Sequence, residues 1–334
     1  MMNSCASKMF YTTLDVLKPA DISFPLNINN IAIVNNSYPQ PSNVGHTTEN
    51  ISGKKSDEII LFDSAAIFIT AALSDALNSQ SFFNNVNHSL VNQNLTKNHD
   101  SINVLSKERV KTLCNMFKAD AVMALNKVVV NDCRYEFLVE NDQGFKYINE
   151  IDVKTKTDWT IYPLNGKAIN IQYVDSFLWQ TESYDRKKSF EELPSRYDAL
   201  VDASILTGAN IAERMIPRWD KEERYFFVSN NKSMQQAMDS VSHRKWEKAI
   251  ELWENAAQTS KSNKIKYQSY CNIATSYEIL GDIDQAIKYI ENAENTITNN
   301  SFALEKDGFY ILTYHQNLLK RKIETKILKQ QIGN

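Results

Sequence analysis

The side chains able to do chemistry are scattered along this chain. Thiols and imidazoles bind metal ions or act as nucleophiles when the spacing brings several of them together. No C-x-x-C pair and no metal-ligand spacing occurs among Cys5, Cys114, Cys133, Cys271, His46, His88, His99, His243 and His315. Acidic pairs such as Glu191-Glu192 and Glu222-Glu223 have no companion His or Lys, which favours solvated charge. We therefore predict no catalytic, cofactor-binding or metal-binding residues.

Glycine spacing excludes the common nucleotide-binding loops. A phosphate-binding loop needs clustered glycines, because the backbone N–H groups must approach the anion closely. The chain has eight glycines, and neither G-x-G-x-x-G nor G-x-x-x-x-G-K-[ST] occurs. A net charge of −3 and a pI near 6.0 likewise give no reason to expect nucleic acid as a partner.

Length and proline placement predict two domains of different class. A chain of 334 residues fits about two domains. Strand and helix patterns alternate over residues 30–130 as β–α–β–α–β, which favours a sheet with parallel neighbours. Ser106 is predicted to be the N-cap of the second of these helices. All seven prolines lie at or before Pro217, so the rest of the chain can be entirely helical. The prediction is an α+β chain with a leader at 1–29, an α/β domain at 30–228 and a helical domain at 233–331.

An antiparallel meander of three strands is predicted at roughly 133–140, 145–162 and 168–182. Apolar residues occupy odd positions in the last two strands, and opposed residues share a face of the sheet. A three-residue loop ending at Gly166 then pairs Trp159 with Ile171, Val153 with Phe177 and Ile151 with Trp179. The same reasoning at Asp142-Gln143-Gly144 pairs Val139 with Tyr147 and Tyr135 with Ile151. An edge strand is predicted at 224–228.

A helix after Pro194 carries Gly208 in its middle, which costs about 1 kcal/mol relative to alanine. Close packing of this helix against the sheet would compensate for that cost. Trp159 and Trp179 could line a carbohydrate site, but their odd positions place them on the apolar face and favour the core.

Residues 270–293 resemble a tetratricopeptide repeat. Small and aromatic residues recur there in the order that this repeat uses, and an earlier unit fits in part. The predicted packing residues are Ala249, Trp253, Ala256, Ala274, Tyr277, Gly281, Ala286 and Ala293. An ordinary helical bundle is the alternative. The resemblance implies a protein partner bound in the groove of the repeats.

A long amphipathic helix at 307–331 is predicted to cap the repeats. Its apolar stripe is assigned to Ile311, Leu318, Leu319, Ile323 and Ile327, and a capping helix needs a polar outer face. Lys320-Arg321-Lys322 could touch a membrane or a nucleic acid, but a solvated face is the preferred interpretation.

The segment around Cys5 resembles the end of a bacterial lipoprotein signal. Small residues precede the cysteine and a polar tether follows it, although the charged and apolar parts of a signal are missing. One interpretation makes Cys5 the lipidated N-terminus of the mature protein, attached to a membrane. The other makes it an incidental residue of a disordered leader.

Larger segments resemble known families. The β–α–β–α–β order, with F-x-x-V at 83–86 and A-D-A-V at 119–122, resembles the N-terminal domain of the curli secretion lipoprotein family. The whole chain resembles an uncharacterised, Bacteroides-type lipoprotein family with tetratricopeptide-like repeats. Cys5, D-V-x-K-P-A-x-I at 15–22, I-A-I-V-N-N-S at 31–37 and the repeats carry this resemblance.

The resemblance implies a location in the cell envelope, as an outer-membrane lipoprotein facing the periplasm. Our hypothesis is a non-enzymatic lipoprotein that binds or assembles proteins. The alternatives are an enzyme with an unrecognised site between the two domains, and a cytoplasmic adaptor. The sequence does not specify an oligomeric state.

Overall fold

The computed structural model describes residues 8–96, 98–298 and 307–333. The strands are β1 Lys8–Lys18, β2 Asn30–Asn35, β3 His46–Glu49, β4 Lys55–Asp57, β5 Asn85–Ser89, β6 Ala121–Asn141, β7 Gly144–Pro163, β8 Ile169–Ser183 and β9 Arg218–Val228. The helices are α1 Ala65–Gln80, α2 Lys107–Phe117, α3 Arg186–Glu191, α4 Arg196–Met215, α5 Lys232–Ser242, α6 Trp246–Thr259, α7 Asn263–Ile279, α8 Ile283–Thr298 and α9 Asp307–Ile332.

The chain forms two compact units. The first is Asp21–Ile216, and the second combines Met1–Ala20 with Pro217–Asn334. Helices α5–α9 form the C-terminal part of the second unit, which is called the helical unit below. The α+β fold class predicted from the sequence is confirmed: a mixed sheet with helices, followed by a run of packed helices.

The first unit is built on a seven-stranded mixed sheet. Its main path runs β4-β3-β6-β2-β5, while β7 pairs antiparallel with β6 and β8 pairs antiparallel with β7. Strand β2 lies between β5 and β6 and is parallel to both. Helices α1 and α4 contribute Leu73 and Leu200 to the core on one face of the sheet, while α2 packs Leu113 against Val34 in a separate cluster.

Helix α2 begins where the sequence predicts it. The side chain of Ser106 accepts a hydrogen bond from the Arg109 amide, as an N-cap serine should. Val110, Leu113 and Cys114 are buried on the side of the helix that faces the sheet.

The register of the β7–β8 hairpin is confirmed. Trp159 pairs with Ile171, Val153 with Phe177, and Ile151 with Trp179. Gly166 has a φ of +139°, a conformation that side chains with a Cβ rarely adopt. The last ladder pair is Ile161 with Ile169, so the connection is longer than the predicted three-residue loop.

The predicted register of the β6–β7 hairpin is wrong. Tyr147 pairs with Leu138, and Ile151 pairs with Arg134. The cause is the turn: Asn141 pairs with Gly144, so the loop has two residues, Asp142-Gln143, and not the predicted three. Further along, a β-bulge between Leu125 and Lys127, which leaves Asn126 outside the ladder, accommodates this shift. A bulge adds one residue to one strand, so every later side chain of β6 points to the opposite face from the one predicted.

Gly208 packs against helix α1 rather than against the sheet, which corrects the prediction. A Cβ at this position would lie 2.9 Å from the Ala72 Cβ and 2.9 Å from the Leu73 nitrogen. The missing side chain therefore allows the backbones of α1 and α4 to come together.

The second unit combines a two-stranded ribbon with the helices. Strand β1 pairs antiparallel with β9 along its whole length. In sequence, β1 lies in the segment 1–29 assigned to a leader, and β9 lies before the predicted boundary of the helical domain. The unit boundary therefore differs from the predicted one, because no local pattern reveals that the two distant strands pair.

Candidate protein-binding surface of the helical unit

The residues predicted from the repeat pattern lie at the contacts between helices. Each helix from α5 to α9 packs against the next one along the chain. The side chains buried at these contacts are Ala249, Trp253, Ala256, Ala274, Ala286 and Ala293. Tyr277 is half-buried, and its ring stacks on Tyr289 with centroids 5.5 Å apart. Gly281 has a φ of +84° in the turn between α7 and α8.

These residues form the framework that supports the surface of the unit. Cys5, the predicted lipidation site, lies outside the described residues. Cys114 and Cys271 are buried free thiols, and burial raises the pKa of Cys271 well above its usual value. Within the described ranges, no group of three or more His, Cys, Asp or Glu residues could hold a metal ion. The helices described here include none long and apolar enough to cross a membrane.

A buried ionic network joins β9, α7 and α9. The Glu278 carboxylate accepts hydrogen bonds from the Arg224 Nε at 2.6 Å and from the Nη2 of the same guanidinium at 2.8 Å. It also accepts one from the Tyr314 hydroxyl at 2.7 Å. Arg321 also donates to it. Burial raises the pKa of Glu278, but the hydrogen bonds and charges of its partners outweigh burial and lower the pKa below its ordinary value.

The β1–β9 ribbon is attached to helix α7 by a side chain that replaces a neighbouring strand. The Asn272 amide donates to the Phe227 carbonyl at 2.9 Å, and its oxygen accepts from the Phe227 N–H at 2.7 Å. Both backbone groups of an edge strand are thereby satisfied in a buried position. The framework under α9 is therefore held by specific polar contacts as well as by apolar packing.

Helix α9 is apolar on two opposite faces, which corrects the predicted single stripe. Ile311, Tyr314 and Leu318 are buried against the rest of the unit. On the other side, the outer face exposes Phe309 (73%), Leu312 (47%), Leu319 (36%) and Ile323 (62%). Leu319 and Ile323 thus lie outside the buried stripe to which the sequence assigned them, and the outer face is apolar where a polar one was expected.

The outer residues follow a heptad spacing. Positions 309, 312, 316, 319 and 323 are separated by alternating steps of three and four, and Gln316 is the polar member. This spacing is the one that seats a helix against another helix. Phe309, Leu312, Leu319 and Ile323 are called the outer stripe below. The heptad spacing is visible in the sequence, but it overlaps the spacing of the buried stripe. The prediction therefore places residues of both stripes in a single one.

Lysines flank the outer stripe. Lys320 lies on one side of it, and Lys322 and Lys326 lie on the other, as the helical spacing requires. Lys322 pairs with Asp284 at 2.7 Å, and Lys320 pairs with Glu324 at 3.6 Å. Arg321 of the same basic triplet is instead committed to the buried Glu278, so it is not part of a solvated basic face.

An open cavity of about 530 Å³ continues from the lysine-rich side of α9. It is lined by the turn between α7 and α8 and by α9, with Lys322, Lys326 and Lys329 opposite Asp282 and Asp284. Its lining has one more basic than acidic residue. The surface as a whole combines an apolar stripe with positive charge, the pattern that a negatively charged amphipathic segment would fit.

Two family models match the chain, and both describe domains of unknown function. DUF8603 matches residues 28–227, and DUF6340 matches residues 235–321. The second match begins within helix α5 and ends within helix α9. No curated protein matches the chain.

Two solved structures are distantly similar to the chain. A neuraminyllactose-binding hemagglutinin homolog from Helicobacter pylori is 11% identical, with a TM-score of 0.28, covering 58% of this chain and 88% of that one. Lipoprotein GNA1162 from Neisseria meningitidis is 14% identical, with a TM-score of 0.18, covering 54% of this chain and 98% of that one. Similarity at these TM-scores carries no conclusion about function.

Proposed function

Since the chain belongs to the DUF8603 family of domains of unknown function, we propose its function from its own surface: a non-enzymatic protein that binds a partner through helix α9. The partner presents an acidic amphipathic helix, whose apolar face lies on the outer stripe and whose carboxylates meet the flanking lysines. The observation that carries this proposal is the exposed outer stripe, directly opposite the buried face of the same helix.

The energetic argument starts from the exposed apolar area. A solvent-facing stripe of four large side chains gives no benefit to the isolated protein, and covering it stabilises a complex by roughly 25 cal/mol per Å² of apolar surface buried. The lysines add selectivity, because they would repel a basic helix and attract an acidic one. Two copies of α9 would bring basic flanks together, which disfavours self-association through this face.

Photocrosslinking in the native cell tests this surface. A benzoylphenylalanine at position 316, in the middle of the outer stripe, should crosslink to a partner segment that is acidic and amphipathic. Ile323→Glu should abolish the crosslink, because it places a negative charge in the apolar contact. Ile205→Glu, at an isoleucine of α4 that is also exposed, is the matched control and should leave the crosslink unchanged. Crosslinks only between copies of this chain, or crosslinks that survive Ile323→Glu, would contradict the proposal.

We further propose that the protein is a lipoprotein of the cell envelope, anchored through Cys5. The support is the lipoprotein-like sequence around Cys5. Strand β1 begins three residues later at Lys8, and Phe10 and Tyr11 are exposed near its start. A lipid on Cys5 would hold this end of the ribbon at the membrane surface, where aromatic side chains are favoured.

Metabolic labelling with a fatty-acid analogue tests the anchor. The wild-type protein, expressed from its native locus, should incorporate the label and fractionate with membranes. Cys5→Ala should lose both properties, while Cys133→Ala, which removes a partly exposed thiol, should keep both. Equal labelling of wild type and Cys5→Ala, or no labelling of either, would show that Cys5 is not lipidated.

A further inference from the structure

A cavity of about 270 Å³ lies in the first unit, beside the carboxyl end of strand β2 and the first turn of helix α1. Strand β2 has β5 on one side and β6 on the other, and the chain crosses from β5 to β6 through α2. The order of the strands therefore reverses at β2. In open α/β sheets, ligands bind outside the carboxyl ends of the strands at such a point.

His46 lines this cavity and is held by a buried carboxylate. His46 and Asp132 are neighbours in the parallel ladder between β3 and β6, and their side chains are 4% and 0% exposed. The Nδ1 of His46 is hydrogen-bonded to Asp132. Asp132 also accepts from the Arg196 Nε at 2.5 Å, so an arginine charge already balances the carboxylate. Because its Nδ1 is engaged by Asp132, the Nε2 is the remaining polar atom of the His46 ring, and it accepts a hydrogen bond when Nδ1 carries the ring proton.

The bulge in β6 places Asp132 on this side of the sheet. Before the bulge the core-facing residues are at odd positions, such as Leu125, and after it they are at even positions, such as Val128 and Val130. The bulged Asn126 is itself buried and accepts from the Asn36 amide at 2.8 Å. Without the extra residue, Asp132 would point to the opposite face. Bulges that re-aim a side chain in this way are frequent beside functional sites.

The remaining wall combines an apolar patch, polar side chains and an acidic mouth. The amides of Gln40 and Asn92 line it and donate to backbone carbonyls. Phe62, Val128 and Val130 line the cavity, and the exposed Asp63 stands at the start of α1. Among the described residues of the lining, none is Lys or Arg. Arg196 is nearby, but its guanidinium is committed to Asp132, to the Thr47 carbonyl and to the Thr48 hydroxyl. A phosphate or carboxylate would therefore have no Lys or Arg partner in this lining, whereas a hydrogen-bond donor could pair with the Asp63 carboxylate at the mouth.

We propose that this cavity binds a small molecule with an apolar body and a hydrogen-bond donor, either a hydroxyl or an ammonium group. The donor bonds to the Nε2 of His46, and the body lies against Phe62 and the two valines. An ammonium group gains additionally from Asp63. The cavity, at about 270 Å³, is slightly smaller than the roughly 300–1,000 Å³ typical of ligand sites, which limits the ligand to a few ring atoms and substituents.

Three probes that share one ring test the chemistry. Cyclohexanol, cyclohexylammonium and cyclohexanecarboxylate are titrated into the full chain, and the imidazole signals of His46 are followed by NMR. The hydroxyl and ammonium probes should shift these signals saturably, and the carboxylate should bind at least about tenfold more weakly, which is about 1.4 kcal/mol. For the variants, binding is followed by saturation-transfer NMR on the signals of the probes. His46→Phe should weaken the first two probes by a similar factor, while His243→Phe, at an exposed histidine of the second unit, should not.

A second variant keeps the test decisive if His46→Phe does not fold. Asp63→Asn changes an exposed side chain and leaves the His46–Asp132 contact intact. It should weaken cyclohexylammonium several-fold and leave cyclohexanol unchanged. The proposal is overturned if the carboxylate binds as tightly as the other probes, if no probe shifts the His46 signals, or if Asp63→Asn affects both probes equally. These outcomes are independent of the binding surface on α9.

Discussion

Replacing Glu278 by glutamine is expected to destabilise the helical unit by about 3–5 kcal/mol, the usual cost of breaking a buried ion pair. The variant keeps the size of the side chain but removes the charge that Arg224 and Arg321 share. Both guanidinium groups are largely buried, with side chains 5% and 16% exposed, so neither can recover its hydration. Hydrogen exchange of peptides from β9 and α7 would measure the loss of stability in this unit separately from the stability of the first unit.

The control is Glu251→Gln, which removes a charge from an exposed side chain that is paired with the exposed Lys248. Exposed pairs contribute about 0–1 kcal/mol, so this variant should remain close to wild type. A loss in Glu278→Gln no larger than that in the control would show that the network contributes little to the fold.

The effect of Glu278→Gln should depend on pH. Because the folded state lowers the pKa of Glu278 below its ordinary value of 4.5, the carboxylate stabilises the protein fully above that pH. The contribution is lost as the pH falls through the lowered folded pKa. The difference between wild type and variant should therefore be constant near neutrality and shrink below pH 4.5. The contributions of the other carboxylates that titrate in the same pH range cancel in the difference between the two proteins.

Replacing Gly208 by valine is expected to cost about 3 kcal/mol, at the upper end of the range for overpacked sites. The new Cβ would meet the backbone of α1 at Ile69 and Leu73, and backbone atoms cannot rotate away as a side chain can. Helices α1 and α4 would have to separate, which also opens the core around Leu73.

Thermal or urea unfolding of the variant measures this cost. Ala209→Val is the matched control, because it makes a similar change one residue later at a half-buried position of the same helix. It should be much milder than Gly208→Val. Equal destabilisation by the two variants would mean that a general loss of helix propensity, rather than the contact with α1, explains the effect.

Local patterns were sufficient where neighbouring residues decide the structure. The alternation of apolar and charged residues around Trp159 predicted the β7–β8 register, because both strands keep one face in the core. Ser106 predicted the start of α2 for a similar reason, since an N-cap depends on residues within one turn. In the helical unit, small residues such as Ala274 mark close helix contacts because larger side chains would not fit there.

Structure decided by distant or competing contacts was not predicted. The bulge at Asn126 depends on partners such as Asn36 and reverses the faces of β6, so it was missed together with the pairing of His46 and Asp132. The ribbon of β1 and β9 joins strands from opposite ends of the chain. In α9, the spacing of Ile323 also fits a core position, because two apolar stripes share one helix. The residues that pack against the buried stripe distinguish it from the outer stripe.

Binding of a synthetic amphipathic helix tests the proposed surface most directly. One peptide has leucines at heptad positions a and d and glutamates at e and g, and its twin has lysines in place of the glutamates. By fluorescence anisotropy, the acidic peptide should bind the full chain, weaken with rising salt and lose at least about tenfold in affinity with Ile323→Glu. The basic twin should not bind. Equal binding of both peptides, or binding of the acidic peptide that Ile323→Glu leaves unchanged, would contradict the account.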